Sequence, residues 1–203
     1  MAAYYYLVAQ LPYLIYGQVP PMSSQAFKEL VRPKLSRRDA AILELVSLDP
    51  QPPKAAEKGP SYQNTAPLSG SVFIDKWREW ERTLRLNLAR HRYLKARIEG
   101  NAPSDPPALP ADAVVIAAKA AAATETPIEI EHQIDKARWD AIEVLRGSDY
   151  FSRNHIYAYL LKLMLLERYA LFDAETGFAE YNALYASILE SAQTGTSPAG
   201  EST

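Results

Sequence analysis

Three histidines, His91, His132 and His155, are the residues from which a metal centre or a proton shuttle would have to be built. Imidazoles on one helix share an ion when they stand about four residues apart, and these are separated by far longer stretches of chain. Carboxylates are the second source of chemistry. Glu125, Glu129, Glu131 and Asp135 gather in one short stretch, and paired acids can move protons or hold a divalent cation. They fall where a helix is expected to begin, however, and the helix dipole favours acidic residues in a first turn. Ser36-Arg37-Arg38 could contact a phosphate, but it too reads as a solvated first turn. There is no glycine-rich phosphate loop, no Gly-x-Ser-x-Gly elbow and no Ser-x-x-Lys pair. The chain has no cysteine, which removes disulfides, zinc–thiolate sites and thiol nucleophiles. No residue is assigned a catalytic, cofactor-binding or metal-binding role. An enzymatic reading would need a pocket in which Glu, His and Tyr side chains converge.

Cations and aromatics suggest a partner instead. Between residues 71 and 99 stand Lys76, Arg78, Arg82, Arg85, Arg90, Arg92, Lys95 and Arg97, against Asp75, Glu79, Glu81 and Glu99. A locally basic helix in a chain of net charge −2 is a solvated face or a dock for an acidic protein surface. Arg82, Arg85 and Arg92 are its candidate partner-binding residues, and Tyr4 and Tyr5 are those of the tyrosine-rich start. Nucleic acid is not an expected partner, because Trp77 and Trp80 fall on the packing seam rather than among the cations.

The elements that carry these residues read as helices. Hydrophobic residues make up 48% and charged residues 23% of 203 positions, the balance of an ordinary globular chain. Tyr4-Tyr5-Tyr6-Leu7-Val8-Ala9 is either a strand or the first turns of a buried helix. Ser23 or Ser24 can cap a helix over residues 25–31, which ends before Pro33. Ser36 caps the next, carrying Ile42, Leu43, Leu45, Val46 and Leu48 and stopped by Asp49-Pro50. Prolines then mark a loop over residues 49–70.

Phe73, Trp77, Trp80, Leu84, Asn87, His91, Leu94 and Ile98 follow spacings of four and three, the seam of one long helix over residues 71–98. Asn87 and His91 interrupt it, and they read either as residues at the edge of the core or as polar groups that fix how a neighbouring helix aligns. A second proline-rich linker covers residues 101–110, followed by an alanine-rich helix over 112–123, whose small side chains let another backbone come close but bury little area, so that it reads as filler. Thr126-Pro127-Ile128-Glu129 is a capping box, and its helix runs to a glycine cap at Gly147.

Residues 152–173 are apolar on nearly every side, so they need several covering neighbours, expected from the stripes of residues 71–98 and 178–189. Asp173-Ala174-Glu175-Thr176-Gly177 is a turn that makes this helix and residues 178–189 an αα-hairpin. Residues 191–203 read as a disordered tail. Lys162 breaks the best candidate for a membrane span, and the start lacks the basic region of a signal peptide. The expected fold is all-α: one helical domain over residues 1–190 with a long central helix and a C-terminal αα-hairpin.

Two stretches carry a resemblance. Tyr4-Tyr5-Tyr6-Leu7-Val8-Ala9-Gln10-Leu11-Pro12-Tyr13 resembles the opening of a bacterial family of unassigned function encoded among V/A-type ATPase genes. Residues 159–169 together with Phe172-Asp173-Ala174-Glu175-Thr176-Gly177 look like the C-terminal helices of the same family. The aromatic helix at residues 73–80, with Asn87 behind it, matches more loosely. That family is similar in turn to a shortened C-type subunit of those ATPases, the all-helical protein (d-type in eukaryotes) joining the central stalk to the membrane rotor ring. The resemblance implies a non-catalytic coupling subunit without cofactors, whose partners are the other V/A-type ATPase subunits. It would be cytoplasmic and peripheral to the inner membrane. The alternative is a free-standing helical adaptor that binds an acidic protein through the basic helix.

Overall fold

A computed structural model describes residues 4–48, 68–96, 106–123 and 126–171. They form α1 (Tyr5–Ala9), α2 (Ser24–Val31), α3 (Arg37–Leu43), α4 (Val72–Ala96), α5 (Ala111–Ala122), α6 (Pro127–Arg146) and α7 (Arg153–Leu171), with a 3-10 turn at Arg32–Lys34. No strand occurs among the described residues, and the fold is all-α with a long central helix. Most of the 49–70 loop, Ile98, the 178–189 helix and the 191–203 tail lie outside the described residues. The C-terminal helix pair seen here is therefore α6 and α7.

The short helices start where the hydroxyl caps predict. Ser23 Oγ accepts from the Ala26 amide at 3.1 Å, and α2 buries Phe27 and Val31 one turn apart. Ser36 Oγ accepts from the Asp39 amide at 3.1 Å and donates to the Asp39 carboxylate at 2.9 Å. The helix behind it is shorter than its apolar pattern suggests. It ends at Leu43 and the chain turns, which lets Val46 reach the core and frees carbonyls for α4. The Trp77 indole donates to Ser47 O at 3.3 Å and Arg85 to Leu48 O at 2.9 Å. The start of the chain resolves as helix α1 rather than a strand.

Along α4 the predicted seam holds through Phe73, Trp77, Trp80, Leu84 and Asn87. It then leaves the core, with His91 half-buried and Leu94 exposed. Trp77 and Trp80 stack at 5.7 Å, and the Trp80 indole donates to Asp112 at 2.7 Å. Asn87 is a buried residue, not an edge one. Its amide nitrogen donates to Thr83 O at 2.9 Å and Pro107 O at 3.0 Å, while Thr83 Oγ1 donates to Leu109 O at 2.8 Å. These bonds answer the cost of burying an amide and strap the second proline segment onto α4. They also seat α5, whose Ala113, Ala117 and Ala120 face inward. The alanines are more than filler, because small side chains allow α5 to lie directly against α4.

The capping box of α6 is complete: Glu129 accepts from the Thr126 amide at 2.9 Å and Thr126 Oγ1 from the Glu129 amide at 3.4 Å. Gly147 ends the helix at φ 79°, a backbone conformation that favours glycine. Every residue of α7 from Ile156 to Leu163 is buried. Among the described residues its principal neighbours are α6 and α2 rather than α4, and the other expected partner, residues 178–189, lies outside the described residues. Phe27 stacks on Tyr159 at 4.9 Å, and the Tyr157 hydroxyl donates to Asp39 O at 3.1 Å.

A buried charge cluster ties α4, α6 and α7 together. Arg138 of α6 donates twice to Glu81 of α4, both at 2.9 Å, and once to Asp135 at 2.8 Å. Arg168 of α7 closes on Asp135, with one bond at 3.0 Å, and Arg85 pairs with Glu81. Burial pushes the Glu81 pKa up, but the Arg138 and Arg85 contacts outweigh it and hold the group below its usual value. Removing one member of such a set strands the others. Arg138→Met is expected to lower stability by about 3–5 kcal/mol, seen as a lower urea midpoint. Arg92→Ala, which breaks an exposed pair with Glu131 at 3.5 Å, should change it by less than about 1 kcal/mol.

Candidate functional site

The structure does not bring the sequence-predicted partner residues together. Arg85 is drawn inward to Glu81 and Leu48 O, and Arg82 is half-buried on the same helix. Arg92 is exposed and paired with Glu131. Tyr4 turns into the protein, where its hydroxyl donates to Asp39 at 2.6 Å. Tyr5 lies outside, its ring 4.4 Å from Phe151. The first-turn acids have structural partners: Glu129 caps α6, Asp135 is buried between arginines and Glu131 meets Arg92. Glu125 lies outside the described residues. The three histidines stand on three different helices, and no metal-binding group of acids and histidines forms among the described residues.

A different set of side chains converges. The segment from α1 to α2 crosses α6 and α7 and is fastened at two points. Tyr159 donates to Pro12 O at 2.8 Å, and Tyr16 donates to His132 O at 2.8 Å while packing edge-on against Trp139 and Tyr169. Beneath this strap is a cavity of about 560 Å³. Its apolar wall includes Leu11, Leu14, Ile15, Trp139 and Tyr159, and its polar wall holds Glu143, Arg146, His155 and Lys162. Glu143 and Arg146 stand one turn apart at the end of α6, while His155 and Lys162 stand two turns apart on α7. Antiparallel packing of the two helices makes these four one group.

Lys162 bonds one Glu143 oxygen, and Arg146 Nε donates to the other at 2.9 Å. The lysine ammonium lies 4.3 Å above the Trp139 ring and the Arg146 guanidinium 4.0 Å above Tyr150. Burial would raise the Glu143 pKa, but the Lys162 and Arg146 contacts hold it below its usual value. Lys162 is lowered by its own burial despite Glu143. His155 is pushed down to about 4, first by burial and then by the Arg146 charge, so its imidazole is neutral at pH 7. Two buried nitrogens of this group have no partner: Arg146 Nη1 and His155 Nδ1.

Glu, His and Tyr side chains do meet in this cavity, as an enzymatic reading would require, but both Glu143 oxygens are already occupied by cations. What the arrangement offers is spare donor capacity beside an apolar wall. Sequence patterns singled out none of the four as a group. The one available signal was polar residues, His155 and Lys162, on an otherwise apolar helix.

Residues 116–190 match the model of a family described as Protein of unknown function (DUF2764). The match takes in α6, α7 and part of α5, and so the polar wall of the cavity, but not the strap. No curated protein and no solved structure matches the chain.

The pKa of His155 falls from 6.5 in the unfolded chain to about 4 in the fold. Between those values the unfolded chain binds the extra proton, so stability is full above pH 6.5 and declines as pH falls toward 4. The loss from Asp39, Glu81 and Glu143, whose pKa values are lowered from 3.8 and 4.5, sets in only at lower pH. His155→Phe should therefore lose less stability than the wild-type chain between pH 7 and pH 5, read from urea midpoints. In the wild-type chain, NMR titration of the His155 ring should show a midpoint near 4.

Proposed function

We propose that the chain is a non-catalytic coupling subunit of a V/A-type rotary ATPase, seated at the junction of central stalk and rotor ring through its tyrosine-rich start. The observation that carries the reading is the aromatic edge left on that segment. Tyr6 is 89% exposed, Tyr13 88% and Tyr5 57%. Beside Tyr5, at the turn between α6 and α7, Tyr150 is 56% exposed and Phe151 38%. Large aromatic side chains grouped on a surface are characteristic of protein interfaces, and tyrosine is enriched at the residues that dominate binding energy. Tyr5, Tyr6 and Tyr13 belong to the stretch that resembles the ATPase-associated family. Two further features are compatible with such a role. The internal cluster of Glu81, Arg138, Asp135 and Arg168 makes a stiff helical body, and no helix among the described residues is long and apolar enough to cross a membrane.

The adaptor reading has less support, since Arg85 and Arg92 are engaged with acids of the same chain. Isolation of the native ATPase in mild detergent should recover the chain, and cryo-EM should place it between stalk and ring. Tyr6→Ala combined with Tyr13→Ala should weaken that association while leaving stability within about 0.5 kcal/mol of wild type, as for exposed positions generally. An intact, fully active rotary ATPase that lacks the chain would overturn the reading.

A further inference from the structure

We propose that the cavity under the strap is a binding site for a small organic carboxylate with an aliphatic or aromatic body. Its volume of about 560 Å³ lies within the range of roughly 300–1,000 Å³ typical of small-molecule sites. The charge facing it is positive. Lys136, Arg146 and Lys162 stand on the lining against Glu143, and Asp140 lies outside it as the partner of Lys136 at 2.6 Å. His155 adds no charge at neutral pH.

The argument for a ligand rests on the two unpartnered nitrogens. Arg146 is 7% exposed, with Nε spent on Glu143 and Nη1 buried without a bond. A buried guanidinium hydrogen left without an acceptor is unusual, because the desolvation it suffers is not recovered. His155 Nδ1, on the facing helix and on the same lining, is in the same condition. In the tautomer protonated at Nδ1 each of the two side chains has a donor to spare, and a two-oxygen planar anion accepts two.

Carboxylate suits the site better than phosphate. Glu143 and Asp140 already engage Lys162 and Lys136, so only a single negative charge is left to be matched. The apolar wall of Leu11, Leu14, Ile15, Trp139 and Tyr159 calls for a hydrocarbon body behind that head group. Ala158 adds a small side chain to the lining, which leaves room for that body.

The test is titration calorimetry on the full chain with octanoate and phenylacetate, each paired with its neutral amide. At least one acid should bind at one site per chain, about tenfold or more tightly than its amide, as loss of a charge-assisted hydrogen bond implies. Arg146→Met should weaken that acid by about tenfold or more and bring acid and amide together. His155→Phe keeps an aromatic ring at this position, removes the other nitrogen and should reduce acid affinity in the same direction. If Arg146→Met does not fold, His155→Phe carries the test. The proposal is overturned if neither acid binds at millimolar concentration, if the amides bind as tightly as the acids, or if the folded variants bind like wild type. The measurement uses the isolated chain, so its result is independent of whether the chain belongs to a rotary ATPase.

Discussion

Arg138 is the side chain on which the arrangement of this protein turns. It is buried on α6 with Glu81 of α4 on one side and Asp135 of its own helix on the other, and Arg168 of α7 completes the set. An ion cluster of this kind adds little over a well-packed apolar core, since desolvation offsets most of the attraction. Its effect is selective. Any sliding or rotation of α4, α6 or α7 relative to the others strands a charge away from water. Apolar ridges alone tolerate such slips far better. The antiparallel register of α6 against α7 brings Glu143 and Arg146 opposite His155 and Lys162, and the cluster at Asp135 and Arg168 helps to hold that register.

The N-terminal segment has two faces with different physical tasks. Inward, Leu7, Leu14 and Tyr16 join the core or its border, and two tyrosine hydroxyl bonds hold the strap across α6 and α7. Outward, Tyr6 and Tyr13 meet solvent. One short stretch thus roofs a cavity and carries the most conspicuous aromatic surface. A ligand under the strap and a partner on top of it would be separated by little more than the thickness of the backbone. The coupling proposed for this protein and the carboxylate site proposed beneath it could therefore influence one another through a single element, without any larger rearrangement.

Some of this was open to a reader of the sequence because the deciding interactions are local. Ser23, Ser36 and the Thr126–Glu129 box each bond amides within three residues, so the helix starts could be named in advance. The seam of α4 and the all-round burial of α7 follow from residue spacing on a helix. Where the pattern misled, a distant group intervened. Asn87 looked like an edge residue until Pro107 supplied its acceptor from another segment. The helix after Ser36 stopped early, at Leu43, and the carbonyls of Ser47 and Leu48 beyond it accept bonds from α4. Arg85, expected to face a partner, turned inward because Glu81 and Leu48 O were there.

The sequence by itself determined an all-α fold, most helix boundaries and the identity of the most buried helix, because capping and amphipathic spacing act over a few residues. Only the tertiary structure decided which side chains meet. Glu81 and Arg138, or Glu143 and Lys162, lie on different helices, and their encounter depends on packing angle and register, which no local pattern encodes. The histidines and acids that first suggested chemistry followed the same rule. Of the clustered acids near the start of α6, Glu129, Glu131 and Asp135 became a cap and ion pairs, while the isolated His155 and Lys162 became part of a cavity wall.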